Sequence, residues 1–304
     1  MLADTRKILQ KASMKHYAVG HFNINNLEMI EGVVSAAVKL KAPVILATSE
    51  GAIAYAGIQY LHDLALTASE QNKVPIALHL DHGNDIKIIR QAIKLGYSSV
   101  MIDASHESFE NNVRLTKKVV QLAHHKHISV EAELGTIGGK EDSVQAKKIL
   151  YTDPNQAKEF IDRTGCDFLA IAIGTSHGAY KFSGQTRLRI DLLKEIRKKT
   201  KIPLVLHGAS GVPAALIRQA QKYGAHLKHV QGVPDAQIRL AIKNGIAKIN
   251  TDTDLRLAFD AAVRKVIKTQ SKEFDPRKVL GPARDLIQKV AEQRIRLLGS
   301  TGKA

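Results

Sequence analysis

The sequence predicts a (β/α)8 barrel, and three observations carry that prediction. Eight short apolar runs recur along the 304 residues, alternating with longer stretches of helical period. That alternation is what βα units around a parallel sheet produce. Polar residues stand directly after the apolar runs, where a barrel gathers its strand ends on one face. A chain of this length also has ample material for one substantial core, and residues 1–304 read as a single barrel domain. A doubly wound open sheet shares the alternation and is the other architecture the pattern allows.

Taken in order, the chain opens with Met1 to Ser13, which is charged and has no long apolar core. Strands are predicted at Ala18 to Ile24, Val44 to Ala47, Ile76 to Leu80, Ser99 to Ile102, Ser129 to Leu134, Phe168 to Ile173, Leu204 to Leu206 and Ile246 to Ile249. Between them, Ile30, Val33, Val34, Ala37 and Val38 repeat at helical spacing, as do Leu192, Leu193 and Ile196, and several helix starts carry Pro or Asp. Gly135 to Leu150 is too long for a plain connection, and its glycines followed by charges predict a mobile lid. The run Gly211-Val212-Pro213-Ala214-Ala215-Leu216-Ile217-Arg218 is echoed 21 positions later from Gly232 to Arg239. Both copies read as Pro-started amphipathic helices, so an extra helix is expected before the eighth strand; two copies do not make a solenoid. A last helix is predicted from Asp285 to Leu298, as a C-terminal extension of the barrel.

Composition narrows the function classes. Lys and Arg number 45 against 29 Asp and Glu, a formal charge of +16 that attracts anionic partners of any kind. The basic residues are scattered, as at Lys117-Lys118, Lys147-Lys148 and Arg197-Lys198-Lys199, and aromatics are only 5%, so no nucleic-acid stripe is present. No run approaches the roughly 18 apolar residues of a membrane span. A cytoplasmic protein with no membrane partner is expected. The single cysteine, Cys166, has no partner for an internal disulfide and reads as a buried structural thiol.

The strand ends hold the candidate chemistry. Strand two is followed by Ser49, strand three by Asp81 and His82, strand four by Asp103, strand five carries Glu133, strand six leads to His177, strand seven to His207 and Ser210, and strand eight to Asn250 and Asp252. Neutral imidazoles bind Zn²⁺, and a catalytic zinc keeps three protein ligands with one position open; His82, His177 and His207 supply that number. His124, His125 and His127 cluster near a helix end and read as solvated. Backbone N–H groups at Gly178, Gly208, Ser210 and Asn250 to Thr253 suit a phosphate cradle, as loops after strands seven and eight of barrels often form. Gly135-Thr136-Ile137-Gly138-Gly139 lacks the spacing of a nucleotide fingerprint.

With these residues in view, the chain resembles the class II, metal-dependent fructose-bisphosphate aldolases nearly end to end. The likeness rests on Asn23-Ile24-Asn25, Ser49-Glu50-Gly51, Leu80-Asp81-His82-Gly83, Glu131-Ala132-Glu133-Leu134-Gly135, Gly174-Thr175-Ser176-His177-Gly178, His207-Gly208-Ala209-Ser210-Gly211 and Ile249 to Arg256. Lys248 to Phe259 and Phe274-Asp275-Pro276-Arg277 look closer to fructose than to tagatose bisphosphate members. Ala209 departs from the pattern, since many relatives have a second Gly there.

The resemblance implies reversible cleavage of fructose 1,6-bisphosphate to dihydroxyacetone phosphate and glyceraldehyde 3-phosphate through a zinc-stabilised enediolate, in glycolysis and gluconeogenesis. It implies zinc on His82, His177 and His207, with Asp103 and Glu133 matching a second or displaced metal position. Asp81 matches the acid/base at the C4 hydroxyl, Glu141 on the lid the residue that moves the C3 proton, and Asn250 the group that hydrogen-bonds the enediolate. Asp252 matches a contact to the aldehyde half; Lys181 and Arg256 match the far-phosphate cations, with Ser49 nearby. Gly178, Gly208, Ser210 and Thr253 belong to the phosphate loops, where the family also implies a monovalent cation, Na⁺ or K⁺. A homodimer or homotetramer is expected.

Other classes stay open at this level. A metallohydrolase on the same barrel would commonly show His-X-His on the first strand, where this chain has His21-Phe22-Asn23. A noncatalytic RNA partner would use the +16 charge and need neither Asp81 nor metal. A Schiff-base aldolase would resist chelation.

Overall fold

A computed structural model of the chain describes residues 1–141, 144–146, 149–177, 187–227 and 231–304. Eight strands close into one parallel barrel: β1 (Val19–Asn23), β2 (Val44–Ser49), β3 (Ile76–Gly83), β4 (Ser99–Ile102), β5 (Ser129–Leu134), β8 (Phe168–Ile171), β10 (Leu204–Leu206) and β11 (Ile246–Thr251). Neighbours follow chain order around the ring, and β11 closes onto β1 with Val19 beside Lys248 and His21 beside Asn250. Closure rules out the open-sheet alternative. The eight predicted runs are the eight barrel strands: three keep their predicted boundaries, and in the other five an end moves by at most three residues.

Helices α2 (Leu27–Leu40), α3 (Glu50–Ala56), α4 (Ile58–Gln71), α5 (Ile86–Leu95), α6 (Phe109–His124), α7 (Pro154–Thr164), α8 (Ile190–Lys199), α9 (Ala214–Lys222), α10 (Asp235–Lys243) and α11 (Thr253–Thr269) follow the strands. Five of them have their starts set by short polar side chains. Asn26, Ser49, Asp85, Ser108 and Asp153 each accept a hydrogen bond from an N–H of the first turn. The repeated Gly-Val-Pro segments do precede two helices, α9 and α10, so the extra helix before the last strand is present. The C-terminal helix α12 (Pro276–Leu297) begins at Pro276 rather than at Asp285, because Asp275 caps it and Pro276 fits its first turn; Pro282 lies inside it.

Gly135 to Leu150, expected as a lid loop, carries secondary structure of its own. There β6 (Gly138–Glu141) pairs antiparallel with β7 (Val144–Ala146) and parallel with β9 (Ser176–His177), a small sheet beside the barrel. The segment is thus tied by backbone hydrogen bonds to the strand that carries His177.

The N-terminal end of the barrel is shut by α1 (Thr5–Met14). Ile8, Leu9 and Ala12 pack on Val19, Ile45, Ala77, Phe168, Ala170, Val205 and Ala247. Side chains two apart on a strand share a face, so the interior continues from Val19 to His21 and Asn23, from Ala77 to His79 and Asp81, and from Ser129 to Glu131 and Glu133. All of these are buried.

Cys166 is buried at the end of α7, where burial pushes its thiol up to about 12. His125 and His127 are exposed as expected, but His124 is half-buried: its Nε2 lies 2.8 Å from Oδ2 of Asp167, which also accepts the Val130 N–H. That carboxylate anchors the end of α6 to β5, so His124 is a tether as well as a partly solvated residue.

Candidate active site

Consecutive residues of a strand face opposite sides, yet Asp81 and His82 both reach the site. The pairing of β3 with β4 shifts between Leu80 and Gly83, and His82 takes a left-handed backbone, φ 46°. Such a bulge re-aims a side chain. Gly83 is required just after it, since a Cβ there would lie 2.5 Å from the Met101 carbonyl oxygen.

His82 Nδ1 lies 2.6 Å from Asp103 Oδ2, and its Nε2 lies 2.9 Å from His207 Nδ1. His207 Nε2 donates to Glu131 Oε1 at 2.7 Å, and Glu133 Oε2 is 3.6 Å from His207 Nδ1. Two groups of potential metal donors share His82: Asp81 with His82 and His207, and His82 with Asp103 and Glu133. Glu133 Oε2 is buried without a hydrogen-bond partner, which is what a carboxylate awaiting a cation looks like. Imidazole and carboxylate donors of this kind suit Zn²⁺ or a similar divalent ion.

The acids around His82 set the electrostatics of the centre. Burial alone would lower the His82 imidazole, but the Asp81 charge and the Asp103 hydrogen bond outweigh it and hold the ring well above its ordinary range. Burial raises Glu133 well above the usual carboxylate range, with Asp103 adding to the effect. Burial works against ionised Asp81 too, yet His21 and His82 keep it well below that range. Asp81 is therefore a carboxylate at neutral pH. Its two oxygens accept from Asn23 Nδ2 at 2.8 Å and from Asn250 Nδ2 at 3.3 Å.

Around this centre the other expected residues fall as follows. Ser49 is buried and caps α3, accepting from the Ala52 N–H. Gly208 has φ +60°, and a Cβ there would lie 2.6 Å from the Ser176 carbonyl oxygen, so only Gly fits between β10 and β9. Ala209 has no positive φ and is fully buried, so its methyl group costs no backbone strain. Ser210 Oγ accepts from the Asp252 N–H at 3.4 Å, and Thr253 starts α11. Asp252 Oδ1 accepts from Arg256 Nε at 2.8 Å, which joins the rim cation to the strand end. The backbones of Glu141 and His177 lie on β6 and β9, but their side chains are outside the described part; Gly178 and Lys181 lie outside the described residues altogether.

The loop after β10 is held from outside the barrel. Asp254 accepts from the N–H groups of Gly211 and Val212, the latter at φ 47°, a conformation costly for a β-branched residue. Arg294 of α12 donates to the Ala209 carbonyl and lies beside Asp254. Neither residue was anticipated. Also unanticipated are His21, His79, Glu131 and Lys248, all fully buried below the strand ends. The signal available in the sequence was spacing: His79 to Asp81, Glu131 to Glu133 and Lys248 to Asn250 are each two apart, on one face of a strand.

With this geometry established, comparison with known proteins identifies the group. The family model described as fructose-bisphosphate aldolase class-II matches residues 3–303. The chain belongs to the class-II fructose-bisphosphate aldolase family. Among relatives, it is 48% identical to the fructose-bisphosphate aldolase of Thermus caldophilus, with all of both chains covered, and 45% identical to that of Helicobacter pylori strain 26695, again over all of both. Among solved structures, the YdjI aldolase of Escherichia coli K12 superposes with TM-score 0.81 at 36% identity over all of both chains. The fold thus belongs to one aldolase family.

Proposed function

We propose that this chain is a zinc-dependent fructose-bisphosphate aldolase, one barrel domain over residues 1–304, that reversibly cleaves fructose 1,6-bisphosphate to dihydroxyacetone phosphate and glyceraldehyde 3-phosphate. The observation that carries the reading is Asp81, a buried carboxylate held by Asn23 and Asn250 directly beside the converging rings of His82 and His207. Membership of an aldolase family over nearly the whole chain supports the reaction class.

His82, His177 and His207 would hold the zinc, and Glu133 offers a further carboxylate oxygen for a displaced or second divalent ion. Asp103 orients His82 through Nδ1. A bound metal supplies Lewis-acid polarisation of a substrate carbonyl. Asp81, kept ionised by its imidazole neighbours, accepts the C4 hydroxyl proton in cleavage and returns it in condensation. Asn250 presents its amide to the substrate oxygens, and Glu141 moves the C3 proton. Gly178, Gly208, Ser210 and Thr253 give backbone or hydroxyl donors to one phosphate, with Na⁺ or K⁺ beside them. Lys181 and Arg256 take the other phosphate, with Ser49 contacting the substrate and Asp252 taking the aldehyde half.

The same reading makes the enzyme a cytoplasmic homodimer or homotetramer of glycolysis and gluconeogenesis, with a phosphorylated sugar as its partner and no nucleic acid. Among the described residues no helix is long and apolar enough to cross a membrane. The test is cleavage of fructose and tagatose 1,6-bisphosphates side by side, before and after EDTA, with zinc restored. Fructose-selective cleavage that is lost with EDTA and returns with zinc is expected. Folded, zinc-loaded protein that cleaves neither sugar would sink the reading.

A further inference from the structure

Below the strand ends lies a buried ion pair that no substrate contact explains. Lys248 Nζ is 2.9 Å from Glu131 Oε2 and 3.2 Å from Oε1, and both side chains are fully buried. A buried pair is weak evidence for stability, because desolvating two charges offsets most of their attraction. Its geometry suggests another use, since each partner also holds a residue of the site above.

Glu131 is an acceptor only, so the nitrogen facing its Oε1, His207 Nε2, carries the proton. That fixes the tautomer and turns the lone pair of Nδ1 toward His82 Nε2, 2.9 Å away. Asp103 accepts the Nδ1 proton of His82 from the other side, and the proton between the two rings is then the one on His82 Nε2. Lys248 is a donor only, so the Asn250 atom 2.8 Å from its Nζ is the amide oxygen. The Asn250 NH2 group is thereby directed to Asp81 Oδ1. His79 extends the column downward: its Nε2 is 3.6 Å from Glu131 Oε2, and its Nδ1 is 2.8 Å from Ser99 Oγ, itself 2.9 Å from Thr5 Oγ1 of α1. His79 thus lies beneath Glu131 without a hydrogen bond to it.

We propose that Glu131 and Lys248 form a positioning pair, Glu131 setting the tautomer and aim of His207 and Lys248 setting the amide orientation of Asn250. The inference rests on the metal-site reading above. It assigns neither residue a contact with substrate.

The test uses the full chain carrying Lys248→Met, which removes the buried ammonium so that Glu131 can be changed without stranding an opposite charge. In that background Glu131→Leu removes the acceptor, whereas Glu131→Gln keeps an amide oxygen for His207. Zinc affinity is read by chelator competition, with kcat and KM measured on the loaded enzyme. Glu131→Leu/Lys248→Met should bind zinc roughly 10- to 100-fold more weakly, the usual cost of losing such an orienting partner. Glu131→Gln/Lys248→Met should keep most of the affinity and yet lose kcat with little change in KM, because Asn250 is released to turn over. Equal zinc affinity in the two doubles, whether both match wild type or both are weakened alike, overturns the proposal and leaves a purely structural pair.

A measurement on unmutated protein stands beside these. In zinc-loaded wild type, the long-range proton–nitrogen spectrum of the histidine rings should place the His207 proton on Nε2; a proton on Nδ1 overturns the assignment even if the variants fail to fold. Wild-type protein that takes up no zinc would instead sink the metal-site reading itself, a result distinguishable from the failure of this pair.

Discussion

At one end of the barrel interior, Ile8, Leu9, Val19, Ile45, Ala77, Phe168 and Val205 close the space with apolar atoms. Further along the barrel strands, His21, Asn23, His79, Asp81, Glu131 and Glu133 fill it with groups that ionise or hydrogen-bond. The difference is a division of labour. Burial of hydrocarbon at the closed end stabilises the fold, and that leaves the open end to hold charges, a left-handed His82 and a left-handed Val212 that a core built for stability alone would avoid.

The division is broken most directly by Asp81→Ala. Loss of the proposed acid/base should lower kcat by about 10²- to 10⁴-fold while the urea midpoint moves little, read by a coupled assay and a denaturation curve. Phe168→Ala should do the reverse: truncating a fully buried ring should cost about 3–5 kcal/mol of stability and leave kcat per folded molecule unchanged. If Phe168→Ala impaired catalysis as deeply as Asp81→Ala, the two ends would not be separable.

Gly208→Ala probes the boundary between them. The added Cβ meets the Ser176 backbone and needs a left-handed conformation, so a loss of about 1–3 kcal/mol is expected, with a raised substrate KM from the displaced phosphate loop. A wild-type KM in this variant would remove the loop from the binding account.

Cys166 gives the smallest effect and sharpens the closed end. Its folded pKa, raised to about 12, lies above the unfolded value of about 8.5, so the thiol contributes stability that is complete below pH ~8.5 and is lost as pH rises toward 12. Stability measured at pH 8 and pH 10 should fall less steeply in Cys166→Ala than in wild type. Iodoacetamide at pH 8 should label Cys166 only when urea is added.

The strands and the strand-end ring were readable because apolar runs and the polar residues that follow them are local features. The interior polar layer was not, because Lys248 between Ala247 and Ile249 reads like the wet side of a half-buried strand. Closure turns that side inward, and closure is a property of all eight strands together. The start of α12 was hidden for a related reason: Gly281 and Pro282 interrupt the helical pattern, and only packing of α12 on α2 and α11 carries the helix through them. Arg294 could not be linked to the phosphate loop from sequence at all, since 85 residues separate it from Ala209.

That last contact sets an order of events in the cell. A ribosome-bound chain has made every barrel strand and every strand-end residue of the site before it makes Arg294. Until then the Ala209 carbonyl has no guanidinium to meet, and the strained turn at Val212 is held by Asp254 and by the Val233 N–H that donates to the neighbouring Ser210 carbonyl. The guanidinium restraint on this loop is therefore the last to be made, after every barrel strand already exists.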